Sequence, residues 1–248
     1  MERIFLIRAS QASKILGKIG LTEIQYKRMQ ELQFRKYDPK QKPLTLNMFA
    51  ELEQLEKDHN NPSLPQTCKT YLHEWYANDN DIMRSKYTDK GEYVEDELID
   101  FAAEKLGYGI AEKNRVRLAD EFFTGECDVN LHDAIIDVKA SWNKKTLHEQ
   151  ALKGIDYDYK IQLIVYCHLY KKEKGILFFG LMDTPPDVNY GNEILYNELL
   201  DNERWIAYEV LANPEIIEAL KARVKACRVY LEQYDELIKS KLGVNHGV

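Results

Sequence analysis

The chain has 248 residues, 44% hydrophobic and 30% charged; that balance supports a real core, argues for a soluble protein and fits one large domain. No apolar run approaches the ~20 residues of a membrane helix. The opening stretch before Arg8 is too short for a signal peptide, so the expected compartment is the cytoplasm. A net charge of −7 does not favour a passive nucleic-acid coat, which is basic, but a local basic face is enough to hold phosphates.

In chain order, residues 9–17 read as a helix that Ser10 or Ser13 caps. A second helix spans Thr22 to Tyr37 and ends before Asp38-Pro39. Its lysines and arginines, with those up to Lys42, are expected to be a solvated face more than a DNA track. A helix over Thr45–Lys57 carries Leu46, Phe49, Leu52 and Leu55 about one turn apart. Pro65 opens the next, through about Tyr76. Residues 79–90 are polar and read as irregular. A strong helix then runs from near Glu92 to Leu106, stopped by Gly107. On it, Glu95 shares the stripe of Ile99, Ala102 and Leu106, an unusual place for a glutamate.

Residues from about Arg115 to Ala140 read as strands, with His132-Asp133 as a hairpin turn. Trp142 to Tyr159 is charged and poorly periodic, a short helix plus a loop. A helix over Lys160–Tyr170 buries Ile161, Ile164, Val165 and Leu169. Residues 175–182 form a compact strand and Arg204–Val210 an outer one. Asn213-Pro214-Glu215 starts a helix to about Leu242, with Ile217, Leu220, Val224, Cys227, Leu231 and Leu237 on its apolar side. The simplest organisation is a single α/β domain: residues 1–90 mainly helical, 91–182 the core, and 183–248 a strand and a long helix.

Cys68, Cys127, Cys167 and Cys227 are far apart and form no CxxC; the six histidines show no HExxH. Zinc and iron–sulfur sites lack support, and the cysteines read as buried free thiols. The informative stretch is Gly125-Glu126-Cys127-Asp128 followed by Ile135-Ile136-Asp137-Val138-Lys139. On a strand, Asp137 and Lys139 share one face while Ile136 and Val138 take the other. A carboxylate and an ammonium on a buried strand are costly unless paired or bound to metal. With Asp128 close, two carboxylates and a lysine converge on a hard cation such as Mg2+, an arrangement for phosphodiester hydrolysis. Gln162 and Tyr166 follow, one helical turn apart. The competing reading is turn capping and a structural ion pair.

This set resembles the PD-(D/E)xK nuclease superfamily, in particular its phage-type (lambda-exonuclease-like and YqaJ-like) and RecB-type exonuclease branch. The resemblance rests on Gly91-x-x-x-Glu95, Gly125-Glu126-Cys127-Asp128, Asp137-Val138-Lys139, Gln162-x-x-x-Tyr166 and the N-terminal stretch from Ile7 to Gly17. It implies a restriction-endonuclease-like α/β core, a mixed central β-sheet flanked by helices, with helical N- and C-terminal parts. It also implies that Asp128, Asp137 and Glu95, helped by the Val138 carbonyl, hold Mg2+ or Mn2+. Lys139 would orient the attacking water, Gln162 would position the site and Tyr166 would support it. Arg8, Ser10 and Ser13 would grip a terminal phosphate. Trp142, Lys144 and Lys145 either stack on and clamp a strand or form a plain surface loop. The implied activity is DNA exonuclease action in phage recombination or repair. A ring-like homo-oligomer and a single-strand annealing protein as partner are implied likewise. The alternatives are a site- or structure-specific endonuclease on the same core and an inactive DNA-binding protein.

Overall fold

One seven-residue strand, Ala134–Ala140, anchors the architecture. The computed structural model describes residues 3–17, 19–60, 62–78, 86–189, 191–196 and 198–242. Strand β1 (Ile7–Arg8) leads through a 3-10 turn (Ala9–Gln11) into α1 (Ala12–Ile15). Helices α2 (Glu23–Tyr37), α3 (Leu46–Asn60), α4 (Gln66–Ala77) and α5 (Lys86–Lys105) follow. Then come β2 (Leu118–Ala119), β3 (Phe123–Gly125), β4 (Val129–Asn130) and β5 (Ala134–Ala140). The chain continues through α6 (Lys144–Lys153), α7 (Tyr157–Tyr170), β6 (Lys174–Gly180), β7 (Trp205–Leu211) and α8 (Pro214–Lys241).

The chain forms two compact units, Met1–Ser13 with Asn80–Lys225 and Lys14–Asp79 with Ala226–Val248. In the first, the described strands form two mixed sheets, β1-β3-β2 and β4-β5-β6-β7. β5 and β6 run parallel, flanked by antiparallel β4 and β7. The turn at His132-Asp133 closes with Leu131 N–H donating to the Ala134 carbonyl at 2.9 Å. Ile136, Val138, Ile176 and Phe178 pack with Val94, Leu98 and Ala102 of α5. The opposite face meets α7: beside Gly175, Ile135 approaches Leu163 and Cys167. β5 is thus covered on both sides and reads as an apolar run interrupted only by its chemistry.

In the second unit, α2 begins with a reciprocal cap between Thr22 and Gln25. It packs on α3 through Met29, Leu32, Leu52 and Leu55. Arg28 makes a two-pronged contact with Glu51, at 3.0 and 3.1 Å. Arg35 donates to the Lys42 carbonyl, so these two arginines are tied into their own unit. His73 on α4 bonds Tyr230 at 2.8 Å and stacks on Tyr234.

Several sequence expectations shift. Helix α5 starts at Lys86, inside the stretch read as irregular; residues 79–85 lie outside the described residues. Leu46 is 88% exposed and Phe49 is exposed too, so only Leu52 and Leu55 of the expected stripe are buried. Leu46 is the first residue of its helix, and the core begins a turn and a half later. Leu237 is 53% exposed, because the buried stripe of α8 ends at Leu231. Helix α7 starts three residues early and is buried all round rather than on one side, since strands and the 3-10 turn surround it. Neither Ser10 nor Ser13 starts the first helical turn: Arg8 occupies the cap position and makes no side-chain capping bond.

Candidate active site

Asp137 and Lys139 lie on the α7 face of β5, as strand alternation requires. Asp137 is 2% exposed. Its Oδ1 accepts from Gln162 Nε2 at 3.2 Å, and the same amide donates to Tyr166 Oη at 3.2 Å. Both amide hydrogens are therefore used within one helical turn. The other oxygen, Oδ2, lies 2.6 Å from Lys139 Nζ but accepts no aligned hydrogen bond. Asp128 reaches β5 from the chain before β4, and its Oδ2 accepts the Val138 N–H at 2.7 Å. The carboxylate serves a backbone donor that β4, starting only at Val129, leaves beside it. Gly125, just upstream, makes room for the Tyr166 ring. A Cβ there would stand 2.7 Å from the Tyr166 ring and 3.0 Å from Ala9 Cβ.

Burial and mutual charge set the protonation of this cluster. Burial, then the neighbouring Asp137 charge, pushes the Asp128 carboxyl up to about 7, against the opposing pull of Lys139 and the Val138 N–H. Burial alone would lower Lys139, but Asp137 and Asp128 outweigh it and hold the ammonium above its usual range. Burial and then Asp137 raise the Tyr166 phenol, which stays neutral. Among the described residues no group of three His, Cys, Asp or Glu side chains gathers to hold a metal. Two carboxylates remain, one with an oxygen lacking an aligned donor, and Mg2+ is commonly held by one or two carboxylates plus waters and substrate phosphates. The donor set fits such an ion.

The cluster opens into a cleft of about 510 Å³ at the end of β5. Asp128, Val138 and Lys139 form one wall, and Gly91, Glu92 and Glu95 of α5 another. Glu95 reaches the cleft, but its carboxylate is held by Lys113 Nζ at 2.6 Å, which also takes Asp96 at 2.9 Å. The expected three-carboxylate set is thus two carboxylates with a third engaged elsewhere. Arg8, Ser10 and Ser13 do not line the cleft; Arg8 is exposed and pairs in register with Thr124. Trp142 does line it, whereas Lys144 and Lys145 are exposed at the start of α6, with Lys145 3.6 Å from Glu149.

Three residues of this region were not singled out from the sequence. Lys113 is one. Tyr159, whose ring lies 5.9 Å from Lys139 Nζ, is another. The third is Lys90, 1% exposed, whose Nζ donates to the Ser141 and Trp142 carbonyls at 3.0 Å each. Lys90 continues the buried stripe of Val94 and Leu98 one turn back, a signal legible only once α5 is started at Lys86.

No protein-family model and no curated protein matches this chain. Solved structures do. A phage-related exonuclease from Haemophilus somnus 129PT superposes with a TM-score of 0.67 at 24% identity, over 95% of this chain and 97% of that one. An alkaline exonuclease, LHK-Exo from Laribacter hongkongensis, gives a TM-score of 0.61 at 12% identity, over 96% and 94%. The same enzyme in complex with dAMP gives 0.60 at 12%, over 95% and 92%. The chain therefore has the fold of these exonuclease structures.

Proposed function

We propose that this protein is a divalent-metal-dependent deoxyribonuclease, acting as an exonuclease in phage recombination or DNA repair. The observation that carries the reading is the meeting of Asp128 and Lys139 at one wall of a cleft, with buried Asp137 2.6 Å behind Lys139 and fixed by Gln162. Asp128 and Asp137, with the Val138 carbonyl, would hold Mg2+ or Mn2+. Such an ion supplies a polarised scissile phosphate and a more acidic water. Lys139, charged at neutral pH, donates to the oxygen on which charge builds. Gln162 keeps Asp137 Oδ1 oriented, and neutral Tyr166 accepts the remaining amide hydrogen and so fixes the amide. Glu95 joins the set only by leaving Lys113. DNA is the proposed substrate; the fold neighbour LHK-Exo binds the mononucleotide dAMP.

The test is digestion of linear and covalently closed double-stranded DNA with Mg2+ or Mn2+, with wild type beside Lys139→Ala. Loss of linear DNA alone, abolished by the substitution, is the expected result. Cutting of closed circles would move the activity to an endonuclease. Absence of cleavage on both substrates would leave a DNA-binding protein on this fold.

A further inference from the structure

Gly91 lies in the second turn of α5 and lines the cleft. A Cβ built there meets nothing within 4 Å, and its backbone is not left-handed. Glycine inside a helix is destabilising relative to alanine. Neither crowding nor backbone geometry calls for it here, and any side chain would stand in the cleft. Trp142 lines the same cleft, three residues beyond Lys139 and so within about 10 Å of it along the chain. Its ring meets that of Tyr87, also at the cleft, edge to face at 5.0 Å. Beneath them lies Lys90. A buried ammonium costs more than an apolar side chain of similar size would. Both of its hydrogen bonds go to Ser141 and Trp142, and its Nζ lies 5.6 Å from the Trp142 ring centroid. Lys90 therefore fixes the backbone that presents the indole.

We propose that Tyr87, Gly91 and Trp142 form a nucleobase platform at the mouth of the cleft, and that Lys90 is the positioning residue that sets it. The ligand is an unpaired base at a DNA strand end, stacked on Trp142 with its sugar-phosphate passing over Gly91. Stacking of this kind accepts every base, because each has a π-face. The choice of ligand rests on the nuclease reading, and the platform itself rests on the cleft.

The test is binding of short single-stranded oligodeoxynucleotides in Ca2+, followed by fluorescence anisotropy. The base of the terminal nucleotide is present or replaced by an abasic unit, at each end in turn. Wild type is expected to bind the intact oligonucleotide about tenfold more tightly at one end. Trp142→Ala and Lys90→Met lose that ratio, and Trp142→Phe keeps most of it. Gly91→Ala raises Tm by about 2–4 °C yet weakens binding. In turnover these variants raise KM more than they lower kcat. Equal affinity for both oligonucleotides, binding of neither, or a ratio that survives Trp142→Ala overturns the platform. A ratio unchanged in Lys90→Met overturns the role of Lys90. Base-dependent binding without cleavage in Mg2+ or Mn2+ would instead overturn the nuclease reading and leave the platform standing. Cleavage that needs Lys139 but ignores the base would do the reverse.

Discussion

Lys139 and Asp128 respond to the same neighbour in opposite ways. Asp137 keeps the lysine charged and makes the second carboxylate reluctant to ionise. Removing the ammonium with Lys139→Ala is expected to lower the rate of linear DNA digestion by about 10²–10³-fold, with the far-ultraviolet circular dichroism unchanged. Asp128 carries a pH signature. Its folded value of about 7 exceeds the 3.8 of a free aspartate, so between these values the folded chain holds a proton that the unfolded chain has released. Metal-free stability from this site is then greatest below pH 3.8, falls through that window, and is flat above about pH 7. Asp128→Asn removes the effect. In EDTA the variant's Tm should gain on wild type from pH 4 to pH 7, and Mg2+ at pH 8 should raise wild type only. Parallel Tm profiles for the two proteins would contradict this electrostatic account.

Among the elements, α5 and α7 carry the site between them by gripping opposite faces of β5. Helix α7 must lie close enough for Gln162 to reach Asp137, and Gly125 is what lets the Tyr166 ring in. Gly125→Ala should cost about 1–3 kcal/mol by overpacking, read as a lower urea midpoint, and should reduce cleavage by displacing Tyr166. Full activity in that variant would mean that Tyr166 does not support the site. On α5, burial lowers the Lys90 ammonium to about 8 from the 10.5 of a free lysine. Between these values the unfolded chain binds a proton the folded chain does not. The penalty at Lys90 is therefore complete below about pH 8 and is relieved as pH rises to 10.5. The Tm difference between Lys90→Met and wild type should move in favour of wild type across that interval. A pH-independent difference would show that Lys90 is not buried as an ammonium.

At the scale of the whole molecule, all four cysteines are buried thiols outside any disulfide, Cys68 and Cys227 with their sulfurs 3.6 Å apart. Burial pushes the Cys127 and Cys167 thiols up to about 12, far from the thiolate that thiol reagents need. The native protein should react with a disulfide reagent at pH 8 only as fast as it opens, and the four thiols should become accessible when guanidinium unfolds it. Rapid labelling of Cys127 under native conditions would mean that the segment leading to Asp128 opens locally. Similarity to the solved exonucleases spans at least 95% of the chain, so the fold extends over both compact units. Among the described residues no helix is long and apolar enough to cross a membrane.

Strand alternation alone placed Asp137 and Lys139 on one face, and helical spacing placed Gln162 and Tyr166 one turn apart. Pro214, the first residue of α8, marked its start, and glycine at position 107 marked the end of α5. These features are local: they depend on the period of an element and the conformations its residues allow. The pairing of Glu95 with Lys113, eighteen positions away, carries no periodic signal. Nor does the burial of Lys90 beneath Trp142, or the exposure of Leu46 and Phe49 on a helix whose spacing put them inward. Which groups meet, and which lose their water, is decided only when distant segments close around one another. Composition, period and residue type therefore located the chemistry, while the tertiary structure determined that Glu95 reaches the cleft with its carboxylate held by Lys113.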